Sequence, residues 1–407
     1  MSGIVPIEGS VCAPQGYRAA GVAAGIKPSG NRDVALIVSD HLAAAAAVFT
    51  QNRVCGAPVQ VSRAHVAGGQ IRAVAVNAGC SNVCTGTRGL EDARRMAALA
   101  AELVSTDSDR VLPDHILVAS TGVIGRFLPM ERVEAGLRSA AAALAPDGDA
   151  NAALAIMTTD TYPKEAAVEV SVAGGRFRIG GICKGSGMIA PNMATMLAFV
   201  TTDAEVNSAL LQELLEKVAD RTFNCVTVDG DTSTSDTLAV LANGRSGVRI
   251  EPGTPEEDAF GAGLEEVCRR LSRELARDGE GATKLVEVRV TGARSEAEAH
   301  IAAKAIANSL LVKTALFGND PNWGRILCAA GYAGVDLDPN RTALTLCGIS
   351  LVRDGTPVPF DEPTASRAMQ EKEIGLILDL GAGAGAASVW TCDLSYDYVK
   401  INAEYTT

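Results

Sequence analysis

A threonine at the mouth of an apolar strand, reached through a glycine-rich loop, is placed to attack its own backbone. Residues 180–204 read GGICKGSGMIAPNMATMLAFVTTDA; Gly181, Gly185, Gly187 and Pro191 shape the loop, and the strand opens at Thr195-Met196-Leu197. Glycine permits positive φ and close backbone approach, and a strand start holds a side chain rigidly. At such a junction the Thr195 hydroxyl can attack the Ala194 carbonyl, turning the amide into an ester that water then opens. The new N-terminal threonine unites nucleophile and base, because its α-amine titrates near about 8 and can take the hydroxyl proton. A plain glycine-rich turn ahead of a buried strand has the same composition, so the loop by itself leaves both readings open. A phosphate cradle fits poorly: Lys184 is outside a G-x-x-x-x-G-K-[ST] frame, and no G-x-G-x-x-G follows a strand here.

The other elements must position this junction. The 407 residues are 47% hydrophobic, 21% charged and only 4% aromatic, so a substantial core must be built from Ala, Val, Leu and Ile. The net charge of −12, with no basic stripe, argues against a nucleic-acid partner. None of the ten cysteines forms a C-x-x-C pair; Cys80 and Cys84 come closest, and free thiols in a reducing compartment are expected. The four histidines lie in no motif, which disfavours a histidine-based triad. The first residues lack a leader pattern, and no apolar run approaches the ~20 residues of a membrane helix. The cytoplasm is the expected location, with no membrane partner.

Strand-like and helix-like segments alternate, which indicates an α/β or α+β architecture. Strands are expected at Ile71–Asn77, His115–Ser120, Ala166–Val172, Met196–Thr202, Leu285–Thr291 and Thr342–Val352. Of these, Leu285–Thr291 alternates strictly and predicts a sheet with one solvated face. Helices are expected at Leu90–Val104 and Ser208–Arg221, after Pro129 and Pro255, and near Ser295, where Ser295 and Glu298 form a capping-box pair. Ala145–Asn151 and Arg353–Pro363 read as loops. A smaller unit over 285–380 is expected beside a main unit over 1–284, to which 381–407 returns.

The motif KGSGMIAPNMATML at Lys184–Leu197 closely resembles the self-cleavage signature of the ornithine acetyltransferase (glutamate N-acetyltransferase) family. Further blocks match in order: PQGYRAAGVAA (14–24), STGVIG (120–125), IMTTDTYPK (156–164), DGDTSTSDT (229–237), DGEGATK (278–284), SLLVKTALFGNDPNWG (309–324) and NAEYTT (402–407). Several independent blocks are far more specific than one. Asn77-Ala78-Gly79 departs from the Asn-Ala-Asn run expected of the family, and a structural turn is expected both there and at Asn319–Trp323.

The resemblance implies a layered αββα sandwich of the ornithine acetyltransferase and DmpA-like type, with a second, smaller α/β domain. It implies cleavage between Ala194 and Thr195 into an α chain (1–194) and a β chain (195–407), paired as α2β2. It further implies Thr195 as nucleophile, Thr121 and Gly122 as oxyanion hole, and Thr158, Lys184, Thr195, Glu280, Asn402 and Thr407 as substrate contacts. Thr159 remains an alternative to Thr158. Lys184 would meet a substrate carboxylate and Glu280 the ornithine ammonium. The implied reaction moves an acetyl group from N-acetylornithine to glutamate in arginine biosynthesis, without metal or organic cofactor. Some family members also accept acetyl-CoA. A competing expectation is an N-terminal-nucleophile amidohydrolase or aminopeptidase, in which water takes the acyl group. A binder that has lost catalysis is a third, disfavoured because Thr121, Gly122, Lys184, Thr195 and Glu280 are all present.

Overall fold

Strands that are apolar at nearly every position need a packing layer on both faces. The computed structural model, which describes residues 3–190 and 196–404, supplies those layers. Among the described residues nine strands make the larger sheet. They are β1 (Gly3–Pro6), β2 (Tyr17–Val22), β3 (Val34–Phe49), β4 (Gln70–Cys80), β5 (Ile116–Val123), β6 (Lys164–Val172), β7 (Gly175–Lys184), β8 (Leu197–Thr202) and, after the short strand β9 (Glu205–Val206), β10 (Thr237–Ala242). The order is β1-β6-β7-β8-β10-β3-β4-β5, with β2 against β3. The pairs β8/β10 and β4/β5 are parallel. A two-residue strand β11 (Arg249–Ile250) pairs with β9.

The long strand β3 folds this sheet over on itself. Its first part pairs with β2 and β4, its last part pairs with β10, and its register slips between Val38 and Ala43. The two halves then face each other across an inner core. Strand periodicity sorts side chains into it: Leu197 and Phe199 of β8 meet Leu117 and Ala119 of β5 in the inner cluster. The opposite parity, Ala198 and Val200, packs outward with the helices α5 (Ser208–Arg221) and α6 (Pro255–Arg277). On the far side Ile116 and Val118 pack under α1 (Ala57–Val66), α2 (Gly86–Val104) and α3 (Met130–Ala142). Helix α4 (Asp149–Ile156) plugs the inner layer with Ala152, Ala153 and Ile156. The result is a four-layer αββα arrangement, and the abundance of alanine in its core answers the scarcity of aromatics.

A six-stranded sheet forms the second unit, in the order β15-β14-β13-β16-β12-β17. Its strands are β12 (Leu285–Ala293), β13 (Ala343–Leu346), β14 (Ile349–Arg353), β15 (Thr356–Pro357), β16 (Glu373–Asp379) and β17 (Gly385–Cys392). Val286, Val288 and Val290 of β12 are buried beneath α7 (Glu296–Asn308), while Arg289 is exposed. Helices α8 (Leu310–Phe317), α9 (Trp323–Gly331) and α10 (Glu362–Ala368) complete this unit. Strand β17 pairs with β12, so the chain leaves the smaller sheet only after Cys392 and not at 381.

Local signals account for most boundaries. Pro255 opens α6, Thr254 accepts from the Glu257 amide, and Glu256, Glu257 and Asp258 favour the positive helix end. Ser295 caps α7 by accepting from the Glu298 amide, but the Glu298 carboxylate binds Arg294 at 2.7 Å rather than closing the expected box. The expected strand over 342–352 is a hairpin, because Cys347 and Gly348 both take positive φ and reverse the chain. The expected loop over 145–151 already contains the start of α4, where Asp149 stands in the first turn and accepts from both the amide and the hydroxyl of Ser10. The turn-rich 353–363 stretch likewise holds β15 and the first turn of α10. Asn77-Ala78-Gly79 lies within β4 and is no turn.

Phe199 fills the inner core between the sheet halves and is fully buried. Phe199→Ala is expected to cost about 3–5 kcal/mol. The midpoint of urea denaturation measures it, and a loss below about 1 kcal/mol would contradict the two-halves packing.

Candidate active site

Chain ends and loops from both sheet halves converge on one pocket. Thr121 and Gly122 come from the end of β5, Thr158 follows α4, and Lys184 is the last residue of β7. Glu280 follows α6, and Asn402 comes from the C-terminal helix α11 (Tyr396–Glu404). All six line the same pocket, together with Ser81, Thr159, Gly187, Met188, Asp229, Asp231, Tyr398 and Ser233–Ser235. Ala194, Thr195 and Thr407 lie outside the described residues. No histidine lines the pocket among the described residues.

The oxyanion candidate rests on a pair of glycines. Gly79 and Gly122 are register partners on the parallel strands β4 and β5, with φ of 104° and 121°. A Cβ on Gly122 would lie 2.5 Å from the Gly79 carbonyl carbon, so no side chain fits between the strands there. Gly79 itself takes a positive φ, and a Cβ there would press on the Ile26 and Lys27 side chains at 3.2 Å rather than on Gly122. Thr121 accepts from Lys184 Nζ at 3.5 Å, the outer limit for a hydrogen bond, which leaves its own proton available to the pocket.

Lys184 is the cation of the site and is only 8% exposed. Its Nζ donates to Thr158 Oγ1 at 2.7 Å and stands 3.9 Å from Asp160. Burial pushes its ammonium below the usual lysine range, with Asp160 pulling the other way. Thr159 is engaged elsewhere, 2.7 Å from the Ser186 hydroxyl, though it too lines the pocket.

Behind Lys184 lies a buried ionic triad. Lys164 Nζ donates to Asp160 at 2.7 Å and to Asp278 at 2.6 Å, with all three side chains almost without solvent. Asp160 also accepts from the Thr158 amide at 2.9 Å and the Gly185 amide at 2.6 Å. Burial would raise the Asp160 carboxyl, yet Lys184 and Lys164 together hold it well below the usual carboxylate range. Asp278 accepts from the Thr161 amide at 3.0 Å and precedes Glu280 by two residues. The triad thus ties the Lys184 corner to the Glu280 corner.

The opposite wall is acidic. Glu280 accepts from Asn402 at 2.8 Å, and its amide donates to the Ser186 carbonyl at 2.8 Å. A Cβ on Gly187 would collide with the Glu280 carboxylate, so glycine is required where the loop crosses it. Asp229 accepts from the Met188 and Ile189 amides at 2.6 and 2.9 Å and from the Tyr398 hydroxyl at 3.3 Å. Burial raises the Asp229 carboxyl. Among the described residues lining the pocket, one cation faces several carboxylates, an arrangement that suits a ligand carrying both an anionic and an ammonium group. Cys80 donates to the Arg126 carbonyl and burial raises its thiol, which argues against a reactive thiolate there.

A family model described as the ArgJ family matches residues 18–407. The arginine biosynthesis bifunctional protein ArgJ of Symbiobacterium thermophilum is 52% identical over 404 residues, covering 98% of this chain and 99% of the relative. The chain belongs to the ArgJ family. The ArgJ protein of a Synechocystis strain is 48% identical over 413 residues, with 98% of each chain covered. A crystal structure of the Bacillus halodurans ArgJ protein superposes with a TM-score of 0.51 at 44% identity, covering 52% of this chain and 100% of that one. Among the described residues no helix is long and apolar enough to cross a membrane.

Sequence reasoning placed Thr121, Gly122, Thr158, Lys184, Glu280 and Asn402 together but assigned nothing to Asp160, Lys164, Asp278 or Asp229. These four lie inside quoted family blocks, yet the buried ion triad has no spacing signature, because Lys164 and Asp278 are 114 residues apart. Asp160→Asn removes the charge that Lys164 and Lys184 share and is expected to cost about 3–5 kcal/mol at neutral pH. The depressed carboxyl contributes stability that is complete above the ordinary carboxylate range of about pH 4 and is lost as the pH falls below it. Urea denaturation at several pH values checks both, and an Asp160→Asn variant with unchanged acid sensitivity would contradict the assignment.

Proposed function

We propose that this ArgJ-family chain is a glutamate N-acetyltransferase of arginine biosynthesis, and that Thr195, freed by cleavage after Ala194, carries the acetyl group. The observation behind it is the convergence of Thr121, Gly122, Thr158, Lys184, Glu280 and Asn402 on one pocket. The chain just beyond Thr195 belongs to the same region: Met196 accepts from the Thr237 amide at 3.0 Å, and β8 starts at Leu197. The self-cleavage reading gains support from lengths. A cut after residue 194 of 407 leaves a second piece of 213 residues, 52% of the chain, and the Bacillus halodurans chain matches 52% while being covered in full.

The reaction follows a ping-pong course. Thr195 Oγ attacks the acetyl carbonyl of N-acetylornithine while the α-amine of Thr195 takes its proton. The oxyanion rests on the Thr121 hydroxyl and the Gly122 amide, each donor contributing about 10²–10³ in rate. Collapse breaks the carbon–nitrogen bond, the α-amine returns the proton, and ornithine leaves. The glutamate amine then attacks the acetyl-Thr195 ester and N-acetylglutamate departs. Lys184 holds the substrate carboxylate, and Glu280, oriented by Asn402, holds the ornithine ammonium. The relatives are called bifunctional, and acetyl-CoA as an alternative donor to the same threonine fits that word. The proposed mature form is α2β2, working in the cytoplasm.

Intact mass of the wild-type chain is expected to show two fragments divided at Ala194–Thr195, and Thr195→Ala a single uncut chain. Consumption of acetylornithine should require glutamate; consumption in its absence would identify an amidohydrolase instead. Glu280→Gln should raise the KM for acetylornithine about tenfold or more while leaving cleavage intact, and equal loss of both would contradict its role. Because α11 forms the pocket wall at Tyr398 and Asn402, a C-terminal extension should lower turnover relative to an N-terminal one; equal activity of the two tagged forms would argue against that wall.

A further inference from the structure

The proposed reaction alternates two amino acids in one pocket, and their far ends carry opposite charges. Both have an α-carboxylate. Beyond it, acetylornithine ends in an ammonium and glutamate in a second carboxylate. With Lys184 on the α-carboxylate, the far end of either molecule meets the acidic wall, where Asp229, Asp231 and Glu280 line the pocket. Carboxylates attract the ammonium and repel a further carboxylate. Among the described residues lining the pocket Lys184 is the one cation, so the second carboxylate must be met by neutral donors.

The C-terminal helix α11 brings such donors to that wall. The Tyr398 hydroxyl donates to Asp229 Oδ2 at 3.3 Å, and the same oxygen accepts from the Met188 amide at 2.6 Å. The tyrosine bond is the longer and weaker of the two, and a hydroxyl hydrogen can rotate to another acceptor. One turn on, Asn402 Nδ2 donates to Glu280 at 2.8 Å and to the Tyr398 carbonyl at 3.0 Å, which joins Tyr398 to the Glu280 corner. Burial, with the Asp229 and Glu280 charges, raises the Tyr398 hydroxyl above the usual tyrosine range, so it remains a donor. Other hydroxyls of the pocket have partners of their own. Thr158 accepts from Lys184 at 2.7 Å, Ser81 donates to the Val123 carbonyl at 2.8 Å, and Thr159 lies 2.7 Å from the Ser186 hydroxyl. No described residue of α11 is buried, so polar contacts rather than packing place its side chains.

We propose that Tyr398 is the residue that admits the acceptor: its hydroxyl turns from Asp229 to the side-chain carboxylate of glutamate. The inference rests on the acetyltransfer reading and adds a residue to it. While acetylornithine is bound, the hydroxyl stays on Asp229 and the carboxylates of the wall face the ammonium. After ornithine leaves, the Tyr398 hydroxyl points into the pocket and donates to the incoming carboxylate. Asp229 remains satisfied during the exchange, because the Met188 and Ile189 amides still donate to its two oxygens at 2.6 and 2.9 Å. No proton changes owner; one carboxylate partner replaces another. One pocket thus takes a cationic and an anionic side chain in turn without a second lysine.

Steady-state kinetics of wild type and Tyr398→Phe, with each substrate varied in turn, test this. In a ping-pong reaction kcat/KM for each substrate reports its own half-reaction. Phenylalanine keeps the ring and removes only the donor. For Tyr398→Phe, kcat/KM for glutamate is expected to fall about tenfold or more, the scale of a lost hydrogen bond to a charged group. Its kcat/KM for acetylornithine should change less than about twofold. The preference for glutamate over 2-aminobutyrate, which lacks the second carboxylate, should shrink by the same factor as the glutamate value. A merely structural role for Tyr398 would lower both half-reactions together; that result, or an unchanged glutamate value, overturns the assignment and leaves the acetyltransfer reading intact. A wild-type chain that consumes acetylornithine equally well without glutamate removes that reading and the inference with it. If Tyr398→Phe does not fold, Tyr398→Gln and Tyr398→Leu are compared, since they are similar in size and differ in the N–H donor. A higher glutamate kcat/KM in Tyr398→Gln supports the assignment, and equal values overturn it.

Discussion

Three charges taken out of water hold the site together. Lys164 lies between Asp160 and Asp278 with no exposed side-chain atoms of its own. Removing one partner leaves an uncompensated charge in a medium that cannot solvate it, so the triad constrains all three elements at once. Those elements are the loop after α4, the start of β6 and the loop after α6. Lys184 and Gly185 follow from Asp160, and Glu280 from Asp278. The Lys184 and Glu280 corners of the pocket are thus fixed relative to each other by a contact buried behind them.

A second constraint is the absence of side chains. Gly122 and Gly187 each stand where a Cβ would strike backbone or the Glu280 carboxylate, and Gly79 takes a positive φ beside Gly122. Gly122 lets parallel strands approach behind the oxyanion candidate, and Gly187 lets the loop pass over the acidic wall. The wall and the loop are further joined by Asp229, which binds two loop amides and Tyr398 of the last helix.

Much of this was legible in the residues. Ser208–Arg221 was readable as a helix because its apolar stripe is regular, and Pro255 and Ser295 announced helices by their capping chemistry. The strand expected at His115–Ser120 was visible as an apolar run, and it extends over Ile116–Val123. The sites of failure have physical causes. Alternation alone does not reveal the reversal at Cys347-Gly348, and a Gly/Asp-rich stretch conceals the start of α4 because Asp149 serves both a loop and a first helical turn. The pocket residues with a family motif were found, whereas Asp160, Lys164 and Asp278 act by burial, which composition does not display.

Strand order adds a consequence for the mature protein. In the larger sheet β8 and β10 are inserted between β7 and β3, so the segment after residue 195 supplies the centre and the segment before it supplies both flanks. With the backbone cut there, as proposed, the two pieces would be interleaved rather than docked. Neither can retain its half of the hydrogen-bond ladder alone, and reunion becomes a second-order encounter instead of an intramolecular one. Maturation would therefore exchange a reversible fold for a one-way assembly: the enzyme's lifetime would be governed by the rate at which its strands separate, and diluted pieces would not find their way back.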